Sequence, residues 1–137
     1  MPEIKLPNFF VVGAGKAGTT SLYSYLQQHP EIYLSPVKEP CYFASELRAE
    51  YMSRDFALHV KRQTRELPRY LDDNLPVKPF GWVVSDWDDY LRLFQKVANE
   101  TAIGEATASY LWSETSAANI QARIRDARIV MILRDPA

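Results

Sequence analysis

Apolar and polar positions fall into blocks that switch between strand-like runs and helical periods. Phe9–Phe10–Val11–Val12 is an uninterrupted apolar run and predicts a strand over Asn8–Val12. Thr19 to about Gln28 has helical spacing, with Leu22, Tyr25 and Leu26 as the expected buried stripe. His29–Pro30 closes this helix, because proline disfavours helical geometry in the residue before it. Ile32–Leu34 predicts a short strand. An arginine-rich stretch follows, with scattered apolar positions that predict one or two surface helices around Tyr51–Arg65. Pro68, Pro76 and Pro79 are expected to break the chain into a loop. Ser85–Asp86–Trp87–Asp88 reads as a helix N-cap with acidic first-turn residues, opening a helix to about Ala98. Ala102–Glu105 predicts a strand, Ser113–Arg125 a helix and Ile129–Leu133 a fully apolar strand. Apolar strands alternating with helices predict an α/β fold whose parallel sheet is covered on both faces.

The junction between the first strand and first helix carries the chemistry. Gly13–Ala14–Gly15–Lys16–Ala17–Gly18 is a glycine-rich turn with one lysine inside it, and Thr19–Thr20–Ser21 opens the helix. Glycines let the backbone approach an anion, amides at the helix start point at it, and the lysine adds a full charge. A nucleotide-triphosphate loop reads G-x-x-x-x-G-K-[ST]. Gly13 and Gly18 have that separation, but Thr19 stands where the lysine belongs. The loop therefore suits a phosphate-type anion better than Mg-ATP. A P-loop kinase or NTPase with an atypical loop, or a non-catalytic nucleotide-binding remnant, stays open at this point.

Gly-x-Gly-Lys-Ala-Gly-Thr-Thr-Ser-Leu after an apolar strand resembles the 5′-phosphosulfate loop of sulfotransferases that use 3′-phosphoadenosine 5′-phosphosulfate (PAPS). Three further segments fit in order: Ser35–Phe43, Ile103–Leu111 and Arg128–Pro136. Lys38–Glu39–Pro40 with Phe43 places the likeness in the bacterial and heparan-type branch. The resemblance implies a P-loop NTPase-like α/β domain, with a parallel sheet flanked by helices. It implies transfer of a sulfuryl group from PAPS to a hydroxyl or amine of a carbohydrate or small-molecule acceptor, without metal. Gly15, Lys16, Ala17, Gly18, Thr19, Thr20 and Ser21 would hold the 5′ side of the donor, and Arg134 its 3′-phosphate. Lys16 would also be catalytic, Glu39 would be the general base, and Lys38 would lie near the sulfuryl group. The family continues past the Arg134 position with a serine that shares the 3′-phosphate. Residues 1–137 are thus expected to be the N-terminal part of a single domain, truncated at its C-terminus. Cys41 stands where relatives commonly have histidine, and Ala106 and Ala108 replace a lysine and a proline of the family pattern. The second active-site cation is then either lost or supplied from beyond Ala137.

Composition narrows the partners. The chain has 137 residues, 24% of them charged, and a net charge of −1. No global basic field marks it for nucleic acid, so anion affinity must come from local placement of lysine and arginine. The one cysteine, Cys41, excludes an internal disulfide. No apolar run approaches membrane-spanning length and no signal-like apolar region opens the chain, so a soluble cytoplasmic protein is expected.

Several residues admit plainer readings. Lys16 could be a solvated loop lysine, Glu39 a surface partner of Lys38, Arg134 a partner of Asp135, and Thr19–Ser21 helix caps. His29 and His59 read as structural or surface residues, and Cys41 as neither metal ligand nor nucleophile. Trp82, Trp87 and Trp112 read as core or rim packing, Tyr42 and Phe43 as core or cleft lining, and Glu105 as structural or orienting.

Overall fold

A computed structural model describes residues 3–48, 52–73, 75–76 and 83–135. Four parallel strands, β1 (Phe9–Val11), β2 (Ile32–Leu34), β3 (Ala102–Ala106) and β4 (Arg128–Val130), form one sheet in the order β2-β3-β1-β4. The helices are α1 (Thr19–Leu26), α2 (Arg54–Asp72), α3 (Trp87–Arg92) and α4 (Ser116–Arg123), with 3-10 turns at Ser45–Leu47 and Ala108–Leu111. This is the α/β architecture expected from the alternation of apolar runs and helical periods.

Strand alternation explains the two-sided core. Phe9 and Val11 face a small cluster with Tyr23 of α1 and Leu34 of β2. Phe10 and Val12 face the larger cluster, which includes Phe43, Leu71, Tyr90 and Phe94. Edge-to-face rings knit that side: Phe10 meets Phe43 with centroids 5.5 Å apart, and Tyr42 stacks on Tyr90 at 4.9 Å. Phe9 lies opposite Gly104 in β3, where an added Cβ would sit 2.5 Å from the Phe9 ring. That glycine is what lets the ring lie across the sheet.

Four expectations need correction. Tyr25 is 72% exposed, and the buried face of α1 is Thr19, Tyr23 and the half-buried Leu22 and Leu26. The stripe is rotated because the Tyr23 hydroxyl donates to the Ser35 carbonyl at 2.6 Å. Pro68 does not break the chain: α2 runs through it to Asp72. Its missing N–H and ring clash are outweighed because the buried face continues past it, from Leu67 on to Tyr70 and Leu71. The last turn is also tied down by Gln95 Nε2 donating to the Leu71 carbonyl at 3.0 Å, and by the Tyr70 hydroxyl donating to Pro76 at 2.7 Å. The run Ile129–Leu133 is not covered on both faces. Ile129, Val130, Met131 and Leu133 are exposed, because β4 has a strand neighbour only in β1 among the described residues. Trp112 is exposed as well, whereas Trp87 stacks on Tyr90 as expected of a packing residue.

Helix ends differ more modestly. Asp86 caps α3, its Oδ1 accepting from the Asp89 amide at 3.0 Å, but the helix stops at Arg92 and not near Ala98. Helix α4 is shorter than Ser113–Arg125 at both ends. Tyr51, Pro79 and Trp82 lie outside the described residues.

Candidate functional site

The carboxyl ends of the four parallel strands gather the segments singled out in the sequence, the edge where open α/β sheets bind ligands. The glycine loop leaves β1 there. Gly13 has φ +140°, and an added Cβ would lie 2.9 Å from Leu111 Cβ and 3.0 Å from the Ala108 carbonyl oxygen. Only glycine fits that approach. Gly18, with φ +99°, is the N-cap of α1, so Thr19, Thr20 and Ser21 are its first three helical residues and none supplies a side-chain cap. Their reading as caps is therefore corrected: a residue in the left-handed conformation makes the turn, and glycine adopts it without strain. The first amide to bond back within the helix is Leu22, to the Gly18 carbonyl at 3.0 Å. The amides of Thr19, Thr20 and Ser21 thus form the free N-terminal donors of an eight-residue helix.

Lys16 is exposed at the loop's crest, in the left-handed conformation (φ 59°). Its neighbour across the sheet is set by the backbone. The β1–β4 ladder continues past both strands: Ile132 donates to the Gly13 carbonyl at 2.8 Å and Ala14 to Ile132 at 2.7 Å. This zipper carries Arg134 to the loop, where its Nη1 donates to the Lys16 carbonyl at 3.5 Å. Ala14, Gly15, Lys16 and Ala17 on one side and Leu133, Arg134 and Asp135 on the other line an open cavity of about 390 Å³, so one carboxylate stands beside the two cations. The two cationic residues expected to flank an anion therefore share one cavity.

Glu39 sits on the opposite side of the β1 carboxyl end. Beyond β2 the chain stays zipped to β3, with Ser35 donating to the Gly104 carbonyl at 2.8 Å and Glu39 to Ala106 at 3.0 Å. Glu39 and Cys41 both have positive φ, 66° and 57°, so a tight turn presents the glutamate. Its Oε1 accepts from the Ala108 amide at 3.1 Å and lies 3.8 Å from Lys38 Nζ. The Lys38 side chain is almost fully buried, whereas that of Glu39 is one-third exposed. The structure thus brings Lys38 and Glu39 together, and Lys16 with Arg134. It links the two groups through Ala108, whose amide holds Glu39 and whose carbonyl borders Gly13.

Behind Glu39 lies a polar network that sequence reading resolved only in part. Glu105 is fully buried; its Oε2 accepts from the Tyr90 hydroxyl at 2.5 Å and Tyr110 at 3.2 Å, and its Oε1 from Thr107 at 2.6 Å. Burial pushes the Glu105 carboxyl up to about 7, against the pull of these three hydroxyls. Thr107 Oγ1 in turn accepts from the Cys41 amide at 3.4 Å, bracing the turn that carries Glu39. Thr107 was not singled out in the sequence. A hydroxyl next to a strand-end glutamate, two positions after β3's Glu105, was its only local signal. Burial also pushes the Cys41 thiol up to about 12, which keeps it un-ionised, in line with its reading as no nucleophile. His29 and His59 are exposed and lie outside this arrangement.

A family model described as "Sulfotransferase family" matches residues 7–137. The chain is similar to the membrane-associated sulfotransferase kil1 of Dictyostelium discoideum, with 30% identity covering 96% of this chain and 21% of that protein. It is similar to carbohydrate sulfotransferase 15 of Homo sapiens, with 28% identity covering 96% of this chain and 25% of that protein. Among solved structures, a sulfotransferase from Alicyclobacillus acidocaldarius superimposes with a TM-score of 0.66 and 34% identity, covering 93% of this chain and 44% of that chain. The chain therefore spans a quarter or less of these two relatives and under half of the solved one. The expectation of a cytoplasmic protein is overturned here, since a relative matched along nearly the whole chain is named as membrane-associated. The apolar profile establishes only that no helix among the described residues is long and apolar enough to cross a membrane.

Proposed function

The chain belongs to the sulfotransferase family, and on that premise we propose that it forms the donor-loop portion of a single sulfotransferase domain. The reaction is sulfuryl transfer from PAPS to a hydroxyl or amine of a carbohydrate or small-molecule acceptor. The observation that supports this reading best is the pairing of Lys16 and Arg134 around one cavity at the start of α1. Two cations and a set of helix-start amides make a site for a doubly phosphorylated nucleotide.

PAPS supplies the activated sulfuryl group, and adenosine 3′,5′-bisphosphate is what remains. Gly15, Ala17 and Gly18 keep the loop backbone close to the 5′-phosphate, and the amides of Thr19, Thr20 and Ser21 point toward it. Lys16 neutralises the charge that grows on this phosphate as the sulfur–oxygen bond breaks. Arg134 grips the 3′-phosphate, a task suited to the fork of a guanidinium. Glu39 takes the proton from the attacking acceptor, its carboxylate aimed by the Ala108 amide and partly exposed to the cleft. Lys38, buried beside it with Nζ 3.8 Å from the Glu39 carboxylate, keeps positive charge near the sulfuryl group.

The direct test is transfer of labelled sulfuryl from PAPS by the full-length protein to a panel of carbohydrate acceptors. Transfer that disappears in Lys16→Ala supports the reading. Absence of transfer to any acceptor, in a protein that hydrolyses or transfers phosphate from ATP, overturns it.

A further inference from the structure

Ile103 and Glu105 lie two positions apart on β3, so they share the face that carries the larger aromatic cluster. Ile103 joins that cluster, and Glu105 takes a fully buried carboxyl group into it. An apolar residue of similar volume often packs at such a position at lower cost. What the carboxylate adds is a common acceptor for three hydroxyls.

Each of those hydroxyl side chains leads to one residue of the segment 41–43. Thr107 donates to Glu105 Oε1 at 2.6 Å, and its Oγ1 accepts from the Cys41 amide at 3.4 Å. Tyr110 donates to Oε2 at 3.2 Å, and its hydroxyl oxygen accepts from the Phe43 amide at 3.2 Å. Tyr90 donates to Oε2 at 2.5 Å, and its ring stacks on Tyr42 with centroids 4.9 Å apart. A hydroxyl carries one hydrogen; with that hydrogen directed at Glu105, its lone pairs are left to face the amides.

The segment so held begins two residues after Glu39. Glu39 and Cys41 sit at φ 66° and 57°, a left-handed conformation that non-glycine residues keep only where their surroundings over-determine it. Ahead of the turn, the Glu39 amide donates to the Ala106 carbonyl at 3.0 Å. Residues 105, 106 and 107 therefore grip the turn from one side, and Ala108 aims its carboxylate from the same side.

We propose that Glu105 is a positioning residue for the base: through Thr107, Tyr90 and Tyr110 its carboxylate fixes residues 41–43, and with them the direction of the Glu39 side chain. The inference rests on the sulfuryl-transfer reading of Glu39 and deepens it. Glutamine at position 105 keeps one acceptor oxygen but places an NH₂ where the second stood, so it cannot accept from all three hydroxyls. Thr107→Val removes one arm at nearly constant shape, and Thr107→Ser restores the hydroxyl.

The experiment uses the full-length protein at pH 8, above the value of about 7 to which burial pushes Glu105, so that the carboxylate is ionised. Sulfuryl transfer from PAPS is followed with the carbohydrate of the acceptor panel that is turned over fastest, and exchange of the Cys41 and Phe43 amides by NMR. Glu105→Gln and Thr107→Val should each lower kcat by about ten- to a hundred-fold, with the KM for PAPS within about two-fold and the rate recovered in Thr107→Ser. Amide exchange should quicken at Cys41 in Thr107→Val, and at both Cys41 and Phe43 in Glu105→Gln. In a Glu39→Gln background the same changes should lower the residual rate by less than about two-fold, because they act through the group already removed. Full losses that multiply on top of Glu39→Gln, or unaltered exchange at Cys41 and Phe43, would overturn the proposal. Where Glu105→Gln fails to fold, the threonine pair and Tyr110→Phe carry the same test. Wild-type turnover in Glu39→Gln overturns the base reading itself, and the amide exchange then still decides whether Glu105 holds the turn.

Discussion

The Glu39 carboxylate accepts a hydrogen bond from the Ala108 amide at 3.1 Å, and the Ala108 carbonyl stands where a side chain on Gly13 would have to go. One residue just past β3, at the start of the 3-10 turn Ala108–Leu111, thereby sets the distance between a carboxylate and the glycine loop. Strand-end residues make such a link stiff, because Thr107 next door donates its amide to the Val11 carbonyl at 2.9 Å.

Glu39→Gln keeps an oxygen for the Ala108 amide but cannot take a proton. The turn should hold and donor affinity should be unchanged, while turnover falls by about 10²–10⁴-fold, the usual worth of a general base. Steady-state kinetics beside a bisphosphate titration check this. A fall in donor affinity with saturated turnover intact would make Glu39 a structural residue.

Gly13 and Gly15 should respond differently to alanine. At Gly13 the new Cβ meets Leu111 and Ala108 within 3.0 Å at a φ of +140°, so a loss of about 1–3 kcal/mol is expected from overpacking alone. At Gly15 nothing lies within 4 Å, and stability should change by less than about 0.5 kcal/mol. Urea unfolding of the two variants separates these outcomes. Equal stabilities would show that the loop does not press on Ala108.

Much of this arrangement was legible because its signals are local. The apolar run at Phe9–Val12, the glycine spacing and the Ser85–Asp86 cap each act within a few residues. What the sequence concealed was set by distant partners. Tyr23 replaced Tyr25 on the buried face of α1 because Ser35 offers a carbonyl to its hydroxyl. Pro68 stayed inside α2 because tertiary bonds from Gln95 and to Pro76 hold the turn beyond it. An apolar run predicts burial whichever neighbour supplies it, so Ile129–Leu133 read as covered although β4 has a single strand partner among the described residues. Lys16 and Glu39 were singled out by pattern, but the bridge between their segments runs through the backbone of Ala108 and Thr107, which residue type does not reveal.

Glu105 makes stability depend on pH. Its carboxyl titrates at about 7 in the folded state, against an ordinary value of 4.5, mainly through burial. Between those values the folded protein holds a proton that the unfolded chain has released. The contribution is therefore fully present below about pH 4.5 and is lost as pH rises through 7, by up to about 3 kcal/mol. Glu105→Gln has no proton to lose and should flatten the profile across this window. Matching slopes in the two proteins, measured by urea unfolding from pH 5 to 8, would show that Glu105 is ionised at no cost.

Loss of a preorganised charge at the loop should be felt in turnover. Lys16→Ala is expected to remove about 2.7–4 kcal/mol of transition-state stabilisation, on the order of a hundred- to a thousand-fold in rate. Wild-type turnover in this variant would make Lys16 a bystander. Arg134→Lys keeps the charge but loses the fork, so it should weaken bisphosphate binding with little effect on the rate at saturation. An unchanged affinity would sever Arg134 from the 3′-phosphate.

The loop from Gly13 to Ser21, with Arg134, is proposed to hold a nucleotide bearing phosphates at both the 3′ and 5′ positions. Calorimetric titration of the full-length protein with adenosine 3′,5′-bisphosphate, in buffer freed of divalent metal, tests it most directly. Binding is expected with one-to-one stoichiometry, weakened by both Lys16→Ala and Arg134→Lys, with little response to ATP with magnesium. Tight binding of Mg-ATP with none of the bisphosphate would contradict it.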